Sequence, residues 1–131
     1  MFFQERIATS ERNAFVDVTE RVKKAVRESG IRDGTALVFC PHTTAGVTIN
    51  ENADPDVAED IRRKLSRLVP QREGYAHSEG NSDAHIKASL LGPSLTLIVH
   101  EGRPLLGTWQ GIYFCEFDGP RERSLYIKVT G

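Results

Sequence analysis

The segment from Gln110 to Phe117, QGIYFCEF, is apolar on both sides of a strand. At a side-chain period of two, Ile112 and Phe114 share a face with Gln110 and Glu116, while Tyr113, Cys115 and Phe117 take the other. Both faces therefore need cover. The chain's own helices can cover one of them. The apolar surface left over is a reason to expect a homo-oligomer.

The rest of the chain supplies those helices and further strands. Residues 2 to 9 alternate loosely, as a first strand does. Val18, Val22, Ala25 and Val26 recur at helical spacing, with Asp17 and Glu20 as a capping-box variant and Gly30 as the stop, which predicts a helix over 18–29. Thr35 to Cys40 reads as a strand stopped by Pro41, and Gly46 to Asn50 as another after the His-Thr-Thr corner. Asp54-Pro55 starts a second helix, striped by Val57, Ile61, Leu65 and Leu68 and ended by Pro70. Asn81 or Ser82 caps a short third helix that Gly92 closes. Strands then follow at 95–99, 110–117 and 125–129. This order predicts one α+β domain over residues 1–131, a mixed, largely antiparallel sheet with helices packed on one face.

Several function classes are disfavoured by composition. No run approaches the ~20 apolar residues of a membrane helix, and MFFQERIATS lacks the basic-then-apolar order of a secretory signal, so a cytoplasmic protein is expected. With 17 Lys and Arg against 18 Asp and Glu, there is no cationic excess for general nucleic-acid binding. Cys40 and Cys115 lack CxxC spacing and read as buried thiols.

Groups capable of chemistry gather where the elements end. His42, His77 and His85 lie at a strand end, in a turn-rich loop and in a helix's first turn, with Glu51, Glu79 and Asp83 available beside them. Three imidazoles with an open position are the ligand set of a catalytic zinc, yet this spacing is no metal signature and by itself favours histidines satisfied in a core or on a surface. His100 is a weaker fourth. HTTAGVTINE, 42 to 51, fits either a polar ligand site or a strand rich in threonine for its β-propensity. GTWQG, 107 to 111, brackets the only tryptophan with glycines, which suits either close approach of a ligand or a buried indole at a strand entry. Arg121 and Arg123 in DGPRER, with Arg103 and Lys87 elsewhere, could hold phosphate. Nucleophile-elbow and Walker-type motifs are absent.

Three separated blocks, PHTTAGVTINENADPDV, the two histidines leading into HIKASLLG, and GTWQGIYFCEFDGPR, together resemble the YjbQ-like family, whose members carry the name secondary thiamine-phosphate synthase. The resemblance implies a small α+β protein that forms a homotrimer, with a polar, histidine-lined, metal-binding pocket near subunit boundaries. Matched residue by residue, it marks His42, His77 and His85 as ligands of a divalent metal, zinc or magnesium. Glu51, Asp83 and Gln110 become catalytic candidates, and Asn50 and Trp109 ligand-binding ones. Lys87, Arg103 and Arg121 are assigned to phosphates by inference from their charge. Phe117 stands where some relatives carry a histidine. The implied reaction joins hydroxymethylpyrimidine diphosphate to a thiazole phosphate and releases pyrophosphate. The same residues would also suit a non-catalytic trimer that binds a small phosphorylated or anionic ligand, or a metal-assisted hydrolase.

Overall fold

The computed structural model describes residues 1–131 and buries the two-faced strand on both sides. In chain order the elements are β1 (Phe2–Ala8), β2 (Ala14–Asp17), α1 (Thr19–Ser29), β3 (Asp33–Phe39), β4 (Ala45–Glu51), α2 (Pro55–Leu68), α3 (Ser82–Leu91), β5 (Ser94–His100), β6 (Arg103–Pro104), β7 (Gln110–Glu116) and β8 (Glu122–Thr130). The α+β class holds. The largely antiparallel pairing holds too, with every strand pair antiparallel, but the strands divide into two sheets instead of one, ordered β1-β8-β3-β5-β6 and β2-β7-β4.

The split follows from local chemistry. Pro41 has no N–H to continue the β3 ladder, and Cys40 donates instead to the Pro93 carbonyl at 2.7 Å. The chain then re-enters as β4 in the second sheet. That sheet has β7 at its centre, in register with β4 from Ala45↔Glu116 to Glu51↔Gln110. The four-residue β2, unforeseen in the sequence, is its other edge.

Ile112 and Phe114 face the larger core, with Ala36, Val38, Leu97, Val99 and Ile127 of the five-stranded sheet. α1 shares that core through Val22, Ala25 and Val26, so it lies on the inner face of the larger sheet beside the smaller one. Tyr113, Cys115 and Phe117 face a second cluster closed by Ala84 and Ala88 of α3 and Ala58 and Leu65 of α2. Helices therefore cover two different surfaces instead of one. Both cysteines are free and buried, and burial pushes the Cys40 thiol up to about 11.

Helix ends hold mostly as the sequence implies. Asp54 Oδ1 accepts from the Asp56 N–H at 2.9 Å with Pro55 in the first turn, and Gly30 ends α1 at φ 70°. Asp17 acts differently from a capping box: its Oδ1 accepts from both the N–H and the hydroxyl of Thr19, at 2.9 and 2.6 Å. Thr19 Oγ1 in turn accepts from the Ile112 N–H at 2.9 Å, tying the start of α1 to β7.

Gly46 sets how closely α3 can lie on β4, because a Cβ there would sit 2.8 Å from the Gly92 carbonyl oxygen and 3.5 Å from Leu91 Cβ. The Gly46→Ala variant is expected to lose about 1–3 kcal/mol, as overpacked sites do. Hydrogen exchange should show the loss concentrated in α3, and unchanged α3 protection would contradict this packing.

Two apolar surfaces stay open. The outer face of the larger sheet exposes Phe2, Leu37, Phe39 and Ile98, with Phe2 and Phe39 packed on Tyr126 at ring distances of 5.4 and 6.4 Å. The α2/α3 layer exposes Leu68, Ile86 and Leu90. No helix is long and apolar enough to cross a membrane.

Candidate functional site

The residues singled out by the sequence fall into three places, two of them at opposite ends of the β4/β7 pair. At the Glu51↔Gln110 end, the β5–β6 hairpin and the 105–110 segment frame a groove of about 520 Å³. Lys23, Asn52, His100, Arg103, Thr108 and Gln110 are among its lining residues. Gln110 Oε1 accepts from the Gly107 N–H at 2.8 Å, and Asn52 N–H donates to the Trp109 carbonyl at 3.1 Å.

The glycines of GTWQG serve approach by the chain itself. A Cβ on Gly111 would lie 2.3 Å from Asn52 Nδ2, so glycine there makes room for the Asn52 side chain. The indole is not buried: Trp109 is 62% exposed. Asn50 is exposed, with its Oδ1 accepting from the Glu51 N–H at 2.8 Å. Asn52 and Lys23, both unremarked in the sequence, join the groove through folding alone.

The far end is built on α3. Asn81 starts that helix without a side-chain cap bond; its Nδ2 donates instead to Asp118 Oδ2 at 2.9 Å. Asp83 is 1% exposed and accepts from Arg12 Nη2 at 2.9 Å and from Lys87 Nζ at 3.3 Å. Lys87 is 2% exposed, donates also to Asn13 Oδ1 at 3.2 Å, and lies 5.9 Å from the Phe117 ring centroid. Arg121 donates to Asp118 Oδ2 at 3.2 Å. Asp83 is thus tied into ion pairs, and Lys87 and Arg121 are tied to neighbouring carboxylates, unlike free phosphate donors. Arg12 and Asp118 hold this network together, although nothing in the local sequence marks them.

His77 and His85 come together beside the network. Their rings are 5.7 Å apart and nearly perpendicular, and His77 Nε2 is 3.6 Å from Glu79 Oε2. His42 does not join them. Its Nε2 accepts from the Ser124 N–H at 2.9 Å, which fixes the proton of the neutral ring on Nδ1. Within the chain no group of three His, Cys, Asp or Glu side chains is placed to hold a metal ion. The three-imidazole set read from the sequence therefore does not fit a metal inside a single chain.

His42 belongs to the third place, a buried ion pair. Glu116, fully buried on the inner face of β7, is held by Arg123 through both carboxylate oxygens, by the Thr9 hydroxyl at 2.8 Å and by the Asp118 N–H at 3.0 Å. Arg123 Nη2 also donates to Thr44 Oγ1 at 2.9 Å. Arg123 is therefore part of the core and not of a surface clamp. A charge at Glu116 among Ile112 and Phe114 was the signal in the sequence that a buried partner was needed.

Burial, and then the Arg123 charge, hold the His42 pKa below its ordinary value. With the folded value depressed, the stability that neutral His42 contributes is present above the unfolded pKa of about 6.5 and is lost as pH falls through that window. An NMR titration is expected to place the His42 midpoint below the ordinary imidazole value, and a midpoint above it would contradict the burial of His42 beside Arg123.

The family described as UPF0047 protein YjbQ-like matches residues 4–131. The chain belongs to this family. A UPF0047 protein of Methanocaldococcus jannaschii is 55% identical over 131 residues, covering 100% of this chain and 95% of that one. YugU of Bacillus subtilis is 54% identical over 127 residues, 96% of each chain. Among solved structures, the YugU orthologue of Clostridium acetobutylicum superposes with a TM-score of 0.96 at 57% identity, over 98% of this chain and 99% of that one. A Sulfolobus solfataricus relative, described as a protein of unknown function, gives 0.96 at 34% identity, over 100% and 96%. The fold is thus shared with a relative of 34% identity.

Proposed function

We propose that the protein is a cytoplasmic, homotrimeric enzyme acting on a small phosphorylated molecule held in the groove beside Gln110. The observation that carries this reading is the groove itself. Its volume of about 520 Å³ is in the range of small-molecule sites. Its walls bring the cations of Arg103 and Lys23 to the hydrogen-bonding groups of Thr108, Gln110 and Asn52. Cations suit a phosphate, and amide and hydroxyl groups orient the body that carries it.

The reaction to test first joins hydroxymethylpyrimidine diphosphate to a thiazole phosphate. Stabilising a departing pyrophosphate requires positive charge where the negative charge develops; in this reading Arg103, whose Nη2 lies 4.0 Å from Glu101 Oε2, supplies it. Incubation with both precursors and magnesium should yield thiamine phosphate, and Arg103→Ala and Gln110→Ala should each reduce kcat by about 10²-fold or more, as the loss of a charge-stabilising donor does. Wild-type rates from both variants would end this reading.

A second reading, a non-catalytic trimer that binds an anionic ligand, is favoured by one feature. Asp83, two positions before His85, is paired with Lys87 and Arg12 and is not a free base. Pyrophosphate binding without turnover of any precursor pair would select it.

A further inference from the structure

Glu101 and Arg103 line a second cavity besides the Gln110 groove. His100 and Arg103 pair where β5 turns into β6, and both residues between them have positive φ, 53° at Glu101 and 77° at Gly102. That is the tight two-residue turn whose twist matches the strands it joins. The Gly102 N–H donates to the Arg32 carbonyl at 3.0 Å, which docks the turn on the segment between α1 and β3. The docked turn and the last turn of α1 frame a cavity of about 500 Å³.

Three guanidinium groups from three parts of the fold line it: Arg27 from the last turn of α1, Arg32 from the segment before β3, and Arg103 from β6. Arg27 also suits the negative end of the α1 dipole, a role that needs neither of the other two. Arg27 and Arg32 are exposed and have no carboxylate within ion-pair distance. The one carboxylate in the walls, Glu101, lies 4.0 Å from Arg103 and 3.7 Å from His100. Three cations against one anion leave the walls two charges positive, the complement of a phosphate monoester dianion. Planar guanidinium donors match its oxygens. The volume is in the range of small-molecule sites and larger than a bare phosphate needs. Half-buried Ile31 supplies an apolar wall for the remainder.

We propose that this cavity is a second binding site, separate from the groove, for a small phosphate monoester. Arg27, Arg32 and Arg103 hold the phosphate, and the organic part lies on Ile31. The site stands apart from the transferase reading, because neither Arg27 nor Arg32 lines the groove. Those two residues therefore report on this cavity alone, whereas Arg103 reports on both.

Backbone amide NMR titrations with inorganic phosphate and with phenyl phosphate, at constant ionic strength, test the site. Both probes should give saturable shifts at Gly30, Ile31, Arg32 and Gly102. Phenyl phosphate should bind about fivefold more tightly, the gain expected from burying about 40 Å² of ring against Ile31. Arg27→Ala combined with Arg32→Ala should weaken both probes by at least about tenfold, as loss of charge-assisted hydrogen bonds does. Gln110→Ala should leave these affinities unchanged, since Gln110 lines only the groove. If the double variant loosens the end of α1, Arg32→Ala alone takes its place, with weakening again expected. Absence of saturable shifts at the four amides would overturn the proposal. So would shifts that survive loss of the arginines, equal affinity for the two probes, or binding that disappears in Gln110→Ala and so belongs to the groove.

Discussion

Replacing Arg123 with methionine is expected to cost about 3–5 kcal/mol of stability, because a fully buried carboxylate loses its counter-charge. For a domain of this size that corresponds to a fall in Tm on the order of 10 °C. In the intact protein, burial pushes the Glu116 pKa up, but the hydrogen bonds from Arg123, the Asp118 N–H and Thr9 outweigh it and hold the carboxyl below its ordinary value. A depressed folded pKa contributes stability that is present above the unfolded carboxylate value and lost as pH falls through the folded one. In the methionine variant only the Thr9 and Asp118 bonds remain, burial dominates, and the Glu116 pKa should rise. The stability gap between the two proteins should then narrow on acidification from pH 7 to pH 5. Adding Glu116→Leu should recover much of the loss, since removing both charges removes the unpaired one. Urea unfolding across that pH range decides it, and a gap that widens on acidification would mean that Glu116 is not held ionised by Arg123.

Asp83→Ala should be comparably severe, again by about 3–5 kcal/mol, because the ammonium of Lys87 would stay buried with only Asn13 to accept from it. The double variant Asp83→Ala with Lys87→Met should regain stability. This pair also separates two roles for Asp83. If the double variant folds well and keeps turnover, Asp83 only positions the first turn of α3 and with it His85. If it folds well and turnover stays lost, the carboxylate takes part in the chemistry.

Much of the fold was legible because its signals are local. The two-faced pattern of residues 110–117 demanded cover on both sides, and the structure covers them with a different cluster on each. Asp54-Pro55 and Gly30 mark helix ends by chemistry that needs no tertiary partner. The division into two sheets was not legible, since it depends on where β4 pairs after Pro41, and a strand's own sequence does not name its neighbour. β2 and β6, of four and two residues, are too short to show a period.

The candidate site was legible only in pieces. The pairing of His77 with His85 follows from a loop leading into α3, and the sequence placed both near that turn. Asp83 and Lys87 are four apart on one helix, a spacing at which opposite charges meet, so their ion pair was readable, whereas its burial was not. Arg12 reaches Asp83 from 71 positions away. Contacts at that separation are set by packing and leave no local trace. His42 sat in the right kind of motif, yet its Nε2 is engaged by the Ser124 N–H of a strand 82 positions further on.

The most direct test of the account is a backbone amide NMR titration of the protein with pyrophosphate. The groove assignment predicts saturable shifts at Arg103, Thr108, Gln110 and Asn52, lost in Arg103→Ala. Shifts confined to the arginine-bearing face of α2 around Arg62, Arg63 and Arg67, or none at all, would contradict it.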